Sequence, residues 1–311
     1  MTILRGLLLL AALAAPGAAP AQTPADGVFP RQLRDEVGEV TIPAEPRRIV
    51  AISTGQVDGL LTLGVVPVGA GRGISNEIVE PYHLESFPAL ADGLRAMTDV
   101  GTLPEPDLEA IAALRPDLIL YTRAALKETT YAALRAIAPV VVAKGMGVNW
   151  KPDFLLLGAA IGRGDAARAV LARYEAETAA VAAGWPEGAA PSVSFVTVTP
   201  GRLRLFGAHS FPGGIAADLG LVRPPAQAFA AAAEDLSAEL LDAADADWIF
   251  YATLGDDDSA LTGTALWPTL TAVAAGRAVP IPFKLFFNSG PTAARLTAEI
   301  LVAEVAGAAP Q

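Results

Sequence analysis

Short apolar runs, each closed by Gly, Pro or a charged residue, alternate along this chain with stretches whose apolar positions fall three and four apart. Arg48-Ile49-Val50-Ala51-Ile52-Ser53 reads as a buried parallel strand, and residues 57–63, closed by Gly64, as the helix after it. Residues 65–69, 118–121 and 140–143 read as further strands, and 106–114 and 131–137 as helices. Residues 70–98 show no period and are read as a long irregular segment carrying Arg72, Tyr82 and His83. The order β-α-β-loop-α-β-α-β predicts a parallel, doubly wound lobe. Residues 22–46 read as an arm or a β-hairpin leading into it.

A helix over 149–161 and a Gly162-Arg163-Gly164 break lead into the longest helical pattern of the chain, 165–183. This run is rich in Ala and free of Gly and Pro. Asp165 is placed to cap it, and Gly184-Trp185-Pro186 to stop it. Val170, Leu171, Tyr174, Thr178 and Val181 form its apolar stripe. At 1.5 Å per residue it spans about 28 Å, the width of a small domain. A second block of similar pattern follows. Strands are expected at 193–198, 202–206, 248–251 and 278–281, and helices at 212–219, 237–243, 269–274 and 292–305. The predicted fold is α/β: two doubly wound Rossmann-like lobes joined by one long rigid helix, with a ligand cleft between the lobes.

The two halves echo each other. Leu63-Gly64-Val65-Val66 matches Leu219-Gly220-Leu221-Val222. Glu109, Asp117 and Tyr121 have the spacing of Glu239, Asp247 and Tyr251. Residues 134–138 match 270–274. Three matches in one order indicate an internal pseudo-repeat. In such a pair of parallel lobes the ligand belongs outside the carboxyl ends of the strands.

Composition narrows the function. The chain has 311 residues and a net charge of −11, which argues against a nucleic-acid partner. It has no cysteine, which excludes disulfides, thiolate catalysis and thiolate metal sites. The first residues have the form of a secretory signal peptide over 1–21: Arg5, an apolar core, then Ala19-Pro20-Ala21. A soluble protein acting outside the cytoplasm is expected, with a first lobe over 22–151, a connecting helical segment over 152–185 and a second lobe over 186–311.

Several segments carry a family resemblance. They are Pro46-Arg47-Arg48-Ile49-Val50-Ala51, Leu63-Gly64-Val65-Val66-Pro67-Val68-Gly69, and the run 99–120, DVGTLPEPDLEAIAALRPDLIL. In the second half they are Ser237-Ala238-Glu239, Asp245-Ala246-Asp247 and Trp267-Pro268-Thr269-Leu270. Over nearly the whole mature chain the sequence resembles the periplasmic iron-siderophore binding proteins of ABC importers, the group of ferrichrome, catecholate and vitamin-B12 binders. The resemblance implies a ferric chelate as ligand, no cofactor, an inner-membrane ABC permease dimer as partner, and a monomer. It also implies that Glu109 and Glu239 dock on arginines of the two permease subunits. Taken without the family, each is a first-turn Glu favoured by its helix dipole.

Candidate ligand-binding residues are those the strand ends and nearby loops bring toward the interlobe space: Arg72, Tyr121, Arg123, Trp150, Arg202, Arg204, His209, Phe286 and Phe287. A ferric siderophore needs aromatic walls and a few guanidinium donors for its chelating oxygens. Trp150 also fits lobe packing. The second half is most similar to hydroxamate-siderophore binders, through Leu205-Phe206-Gly207-Ala208-His209-Ser210 and Ala265-Leu266-Trp267-Pro268. Two positions depart from the family. Leu103 stands where hydroxamate binders carry an Arg, and Arg72 and Arg123 are the nearest replacements. His209-Ser210-Phe211 stands where catecholate binders carry theirs. A hydroxamate-like ferric siderophore is the expected ligand, with a corrinoid or haem as the alternative. His83 and His209 are the only histidines, too few for a bare-metal site. A periplasmic α/β enzyme is the rival from another class, but no G-x-S-x-G, P-loop, G-x-G-x-x-G after a strand, or H-E-x-x-H is present.

Overall fold

The computed structural model describes residues 25–73, 76–145, 147–287 and 290–307; the expected signal peptide lies outside them. The arm is a hairpin of β1 (Arg31–Asp35) and β2 (Gly38–Ile42). Asp35 closes its turn by accepting from the Val37 and Gly38 N–H at 2.9 and 3.0 Å. Its other oxygen accepts from Val142 N–H at 2.9 Å and docks the hairpin on the first lobe.

That lobe holds β3 (Ile49–Ala51), α1 (Thr54–Thr62), β4 (Gly69–Arg72), α2 (Pro81–Ser86), α3 (Ala91–Arg95), β5 (Thr98–Thr102), α4 (Leu108–Ala113), β6 (Leu118–Thr122), α5 (Glu128–Ile137) and β7 (Val140–Ala143). Its sheet runs β5-β4-β3-β6-β7, parallel throughout. The second strand begins where its expected span of 65–69 ends. Residues of β4 are small because they are crowded on both sides: a Cβ on Gly71 would lie 2.3 Å from the Ile52 carbonyl oxygen. So the strand with least apolar bulk sits inside the sheet, and the apolar residues before it pack as a loop. The segment read as irregular contains α2, α3 and the start of β5, a polar edge strand without an apolar run.

Next come α6 (Trp150–Ala160) and α7 (Gly164–Gly184). The long helix begins one residue earlier than expected, and Asp165 lies in its first turn rather than capping it. The cap comes from the arm: Asp26 accepts from the Gly164 and Asp165 N–H at 2.6 and 2.9 Å. Gly158 lets α6 and α7 pack closely, since a Cβ there would meet the Ala167 Cβ at 2.5 Å.

The second lobe holds β8 (Val193–Thr199), β9 (Arg202–Phe206), α8 (Phe211–Asp218), β10 (Ala233–Leu236), β11 (Trp248–Thr253), α9 (Ser259–Thr262), α10 (Thr271–Ala274), β12 (Ala278–Pro280), α11 (Phe283–Phe287) and α12 (Pro291–Gly307). Its sheet runs β10-β9-β8-β11-β12. The β8, β11 and β12 strands are parallel, while β9 and β10 add antiparallel pairs at one side. The internal repeat has a structural meaning. Asp117 accepts from Arg47 and Arg48 N–H at 2.8 and 2.9 Å, just before β3. Asp247 accepts from Ser192 N–H at 2.8 Å, just before β8. Each carboxylate pins the start of its neighbouring strand, so the β3-β6-β7 and β8-β11-β12 sets correspond.

Candidate functional site

A cleft of about 440 Å³ opens at the carboxyl ends of the first-lobe strands. Each strand hands it one short segment: Ser53 to Gln56 after β3, Arg72 and Gly73 at the end of β4, Leu103 and Pro104 after β5, Thr122 and Ala124 from β6, and Gly145 after β7. One wall is α6, through Trp150, Asp153, Phe154 and Leu157, and the second lobe contributes Phe287 and Pro291.

Local bonds hold this rim. Gln56 donates to the Tyr121 carbonyl at 2.7 Å and accepts from Ser53 N–H at 3.1 Å, which fixes the turn at the head of α1. Asp153 accepts from Lys144 and Gly145 N–H, both at 2.9 Å. Burial raises its carboxyl above the ordinary range, against the pull of those two bonds. Trp150 meets Tyr174 of α7 edge-on at 5.0 Å between ring centroids. Tyr174 in turn donates to Asp218 of α8 at 3.0 Å, and Lys151 to the same carboxylate at 2.7 Å. The indole is therefore fixed where the connecting helices meet the second lobe.

Of the residues singled out in the sequence, Arg72, Trp150 and Phe287 line this cleft. The others are placed elsewhere. Tyr121 is fully buried in the first-lobe core and donates to the Ala125 carbonyl at 2.8 Å. Phe286 is buried among Phe195 and Phe206. Arg123 is exposed and donates to the Glu36 carbonyl on the arm hairpin at 3.2 Å. Arg202 and Arg204 both face Asp235 across the β9–β10 pair, at 2.6 and 3.6 Å. His209 is exposed in the turn before α8. Glu109 and Glu239 are both exposed, each in the first turn of its helical segment, Leu108–Ala113 and Ala238–Ala244. Sequence reasoning placed Leu103 at a family ligand position, and it lines the cleft, but it missed Asp153, Gln56 and Pro104. An Asp in a first helical turn and a Gln three residues after Ser53 look like ordinary capping, and only the fold shows that those caps border the cleft.

Among the described residues no three His, Asp or Glu side chains converge to hold a metal ion. Arg72 and Asp153 are the only charged ones among the described residues that line the cleft. None of the described lining residues pairs a nucleophile with a base. The arrangement can enclose and orient a bulky ligand.

Two α/β lobes, a connecting helical segment and a cleft at the strand ends are the architecture of a bilobal binding protein. Residues 49–285 match the periplasmic binding protein family, and the chain belongs to it. It is 32% identical over 264 residues to the "Probable siderophore-binding lipoprotein YfiY" of Bacillus subtilis, covering 80% of this chain and 79% of that one. It is 28% identical over 249 residues to the Fe(3+) dicitrate-binding periplasmic protein FecB of Escherichia coli, covering 78% and 79%. Among solved structures, Staphylococcus aureus SirA complexed with staphyloferrin B superposes with a TM-score of 0.76 at 25% identity, covering 88% of this chain and 98% of that one.

Proposed function

We propose that this protein is a periplasmic substrate-binding protein that captures a ferric siderophore and delivers it, as a monomer, to an inner-membrane ABC permease. The relatives whose names include siderophores and ferric citrate support a ferric chelate as ligand. The ligand class proposed is hydroxamate-like, and one observation carries it. Among the described residues the lining of the cleft holds a single cation, Arg72, and that cation already faces a carboxylate, Asp99, at 3.3 Å. Three hydroxamates balance the charge of Fe(III) and give a neutral complex, whereas three catecholates leave a strongly anionic one. A lightly charged, largely apolar cleft suits the neutral complex.

Tryptophan fluorescence tests this, because Trp150 borders the cleft and a ferric chelate quenches nearby indoles. Titration with ferrichrome, a ferric tricatecholate, ferric dicitrate, cobalamin and haem should give saturable quenching with ferrichrome at the lowest concentration. Preference for cobalamin or haem would replace the siderophore reading by its alternative. No response from folded protein to any member of the panel would remove the iron-uptake reading.

A further inference from the structure

We infer that Asp99 sets the charge selectivity of the cleft by tempering Arg72, so that anionic chelates are disfavoured relative to neutral ones. The inference rests on the ferric-chelate reading above and concerns how the same cleft chooses among such chelates.

The geometry begins with a β-bulge. The β4–β5 ladder pairs Ala70 with Asp99, then Arg72 with Thr102, so β5 spends one extra residue over this interval. The extra length is taken up at Gly101, whose φ is +87° and where a Cβ would lie 2.8 Å from both the Asp107 nitrogen and the Glu105 oxygen. Asp99 holds the bulge: its Oδ1 accepts from the Gly101 N–H at 2.8 Å. That bond leaves Oδ2 beside the Arg72 Nε, 3.3 Å away on the neighbouring strand. The bulge also carries the chain directly into Leu103 and Pro104, which line the cleft together with Arg72.

Both partners remain solvent-accessible, with side chains 36% and 46% exposed for Arg72 and Asp99. Among the described residues Arg72 makes no other ion pair or hydrogen bond. The second charged lining residue, Asp153, is committed to the Lys144 and Gly145 N–H groups. Among the described lining residues the one guanidinium thus has its carboxylate partner directly beside it. An anionic chelate reaching Arg72 also meets the field of Asp99, which offsets part of the attraction. A neutral chelate loses nothing. Selectivity here arises from a repulsive element next to the attractive one.

The test compares wild type, Asp99→Asn and Arg72→Gln/Asp99→Asn by fluorescence titration with ferrichrome and with ferric dicitrate at low ionic strength. Asn retains the oxygen that accepts from Gly101 N–H and removes the charge; Asp99→Ser, checked for folding by circular dichroism, is a second charge-removing variant. Asp99→Asn should tighten ferric dicitrate about two- to fivefold, the range of a partly exposed ion pair, and leave ferrichrome unchanged. The gain should vanish in the double variant and shrink in high salt. An unchanged dicitrate-to-ferrichrome ratio in folded Asp99→Asn and Asp99→Ser overturns the role of Asp99 and leaves the ferric-chelate reading standing. A gain that persists without Arg72 overturns it as well. Failure of the wild type to bind either chelate overturns both readings.

Discussion

Asp58 has no exposed surface, yet it is a carboxylate on the first helix of one lobe that serves the last helix of the other. It accepts from the Thr292 and Ala293 N–H at the head of α12, both at 2.9 Å, and from the Tyr82 hydroxyl at 3.0 Å. These bonds satisfy two of the free N–H groups at the head of α12. Removing the carboxylate leaves several buried donors unpaired. Asp58→Ala should cost about 3–5 kcal/mol, read as a lowered urea midpoint. Beside it, His83 is fully buried between Asp58, Glu80 and Tyr82, and Glu80 is paired with Lys284 of the second lobe at 3.0 Å. Desolvation holds the imidazole below its usual range, against the opposing pull of Asp58 and Glu80. Below about pH 6.5 the unfolded chain takes up a proton that the folded imidazole refuses, so stability falls as pH drops through that region. Urea midpoints at pH 7.5 and 5.5 should therefore differ less in His83→Gln than in the wild type.

At the scale of elements, the connecting helix owes its position to short-range capping by a distant part of the chain. Asp26 of the arm meets the first N–H groups of α7, and Arg31 of the arm, itself buried, donates to the Ala159 carbonyl at the end of α6. The arm therefore clamps the junction of the two connecting helices. Asp26→Ala should lower stability by about 1 kcal/mol, a typical cap loss, and leave chelate binding intact. Gly158→Val should do more harm, because the close α6–α7 crossing has no room for a branched side chain. Thermal melts of the two variants separate the effects: a small shift for the cap and a large one for the crossing.

At the scale of the molecule, two lobes built on corresponding strand sets present Glu109 and Glu239 at corresponding helix starts. Both side chains are exposed, and neither helical segment contributes to the described lining of the cleft. We propose that this pair docks on the two subunits of the permease. Reversing both charges, Glu109→Lys with Glu239→Lys, should abolish uptake of the ferric chelate in cells while the purified protein still binds it. Uptake at wild-type rates would exclude these residues as the docking points.

The repeated Glu-Asp-Tyr spacing, the apolar runs and the long Ala-rich helix made the two lobes and their connection legible in the sequence, because each is a local pattern with its own period. The role of the Asp of each repeat, pinning the start of a neighbouring strand, came only from the structure. The site was legible only in part. Arg72, Trp150 and Phe287 come together at the cleft, while Tyr121 and Phe286 turn inward and Arg202 and Arg204 pair with Asp235. Strand ends can be read from a chain, but the side of the sheet that each end faces depends on register and on which neighbour it packs against. The β4 strand, the bulge at Gly101, the cap from Asp26 and the Asp58 tie to α12 were likewise settled by tertiary structure. Each joins residues far apart in the chain, or depends on small residues whose burial leaves no apolar signal. The sequence alone determined the class of molecule, two α/β lobes around a ligand, because hydrophobic periodicity is local. The tertiary structure decided which side chains line the cleft and how the lobes are held, because those are long-range contacts that no local pattern encodes.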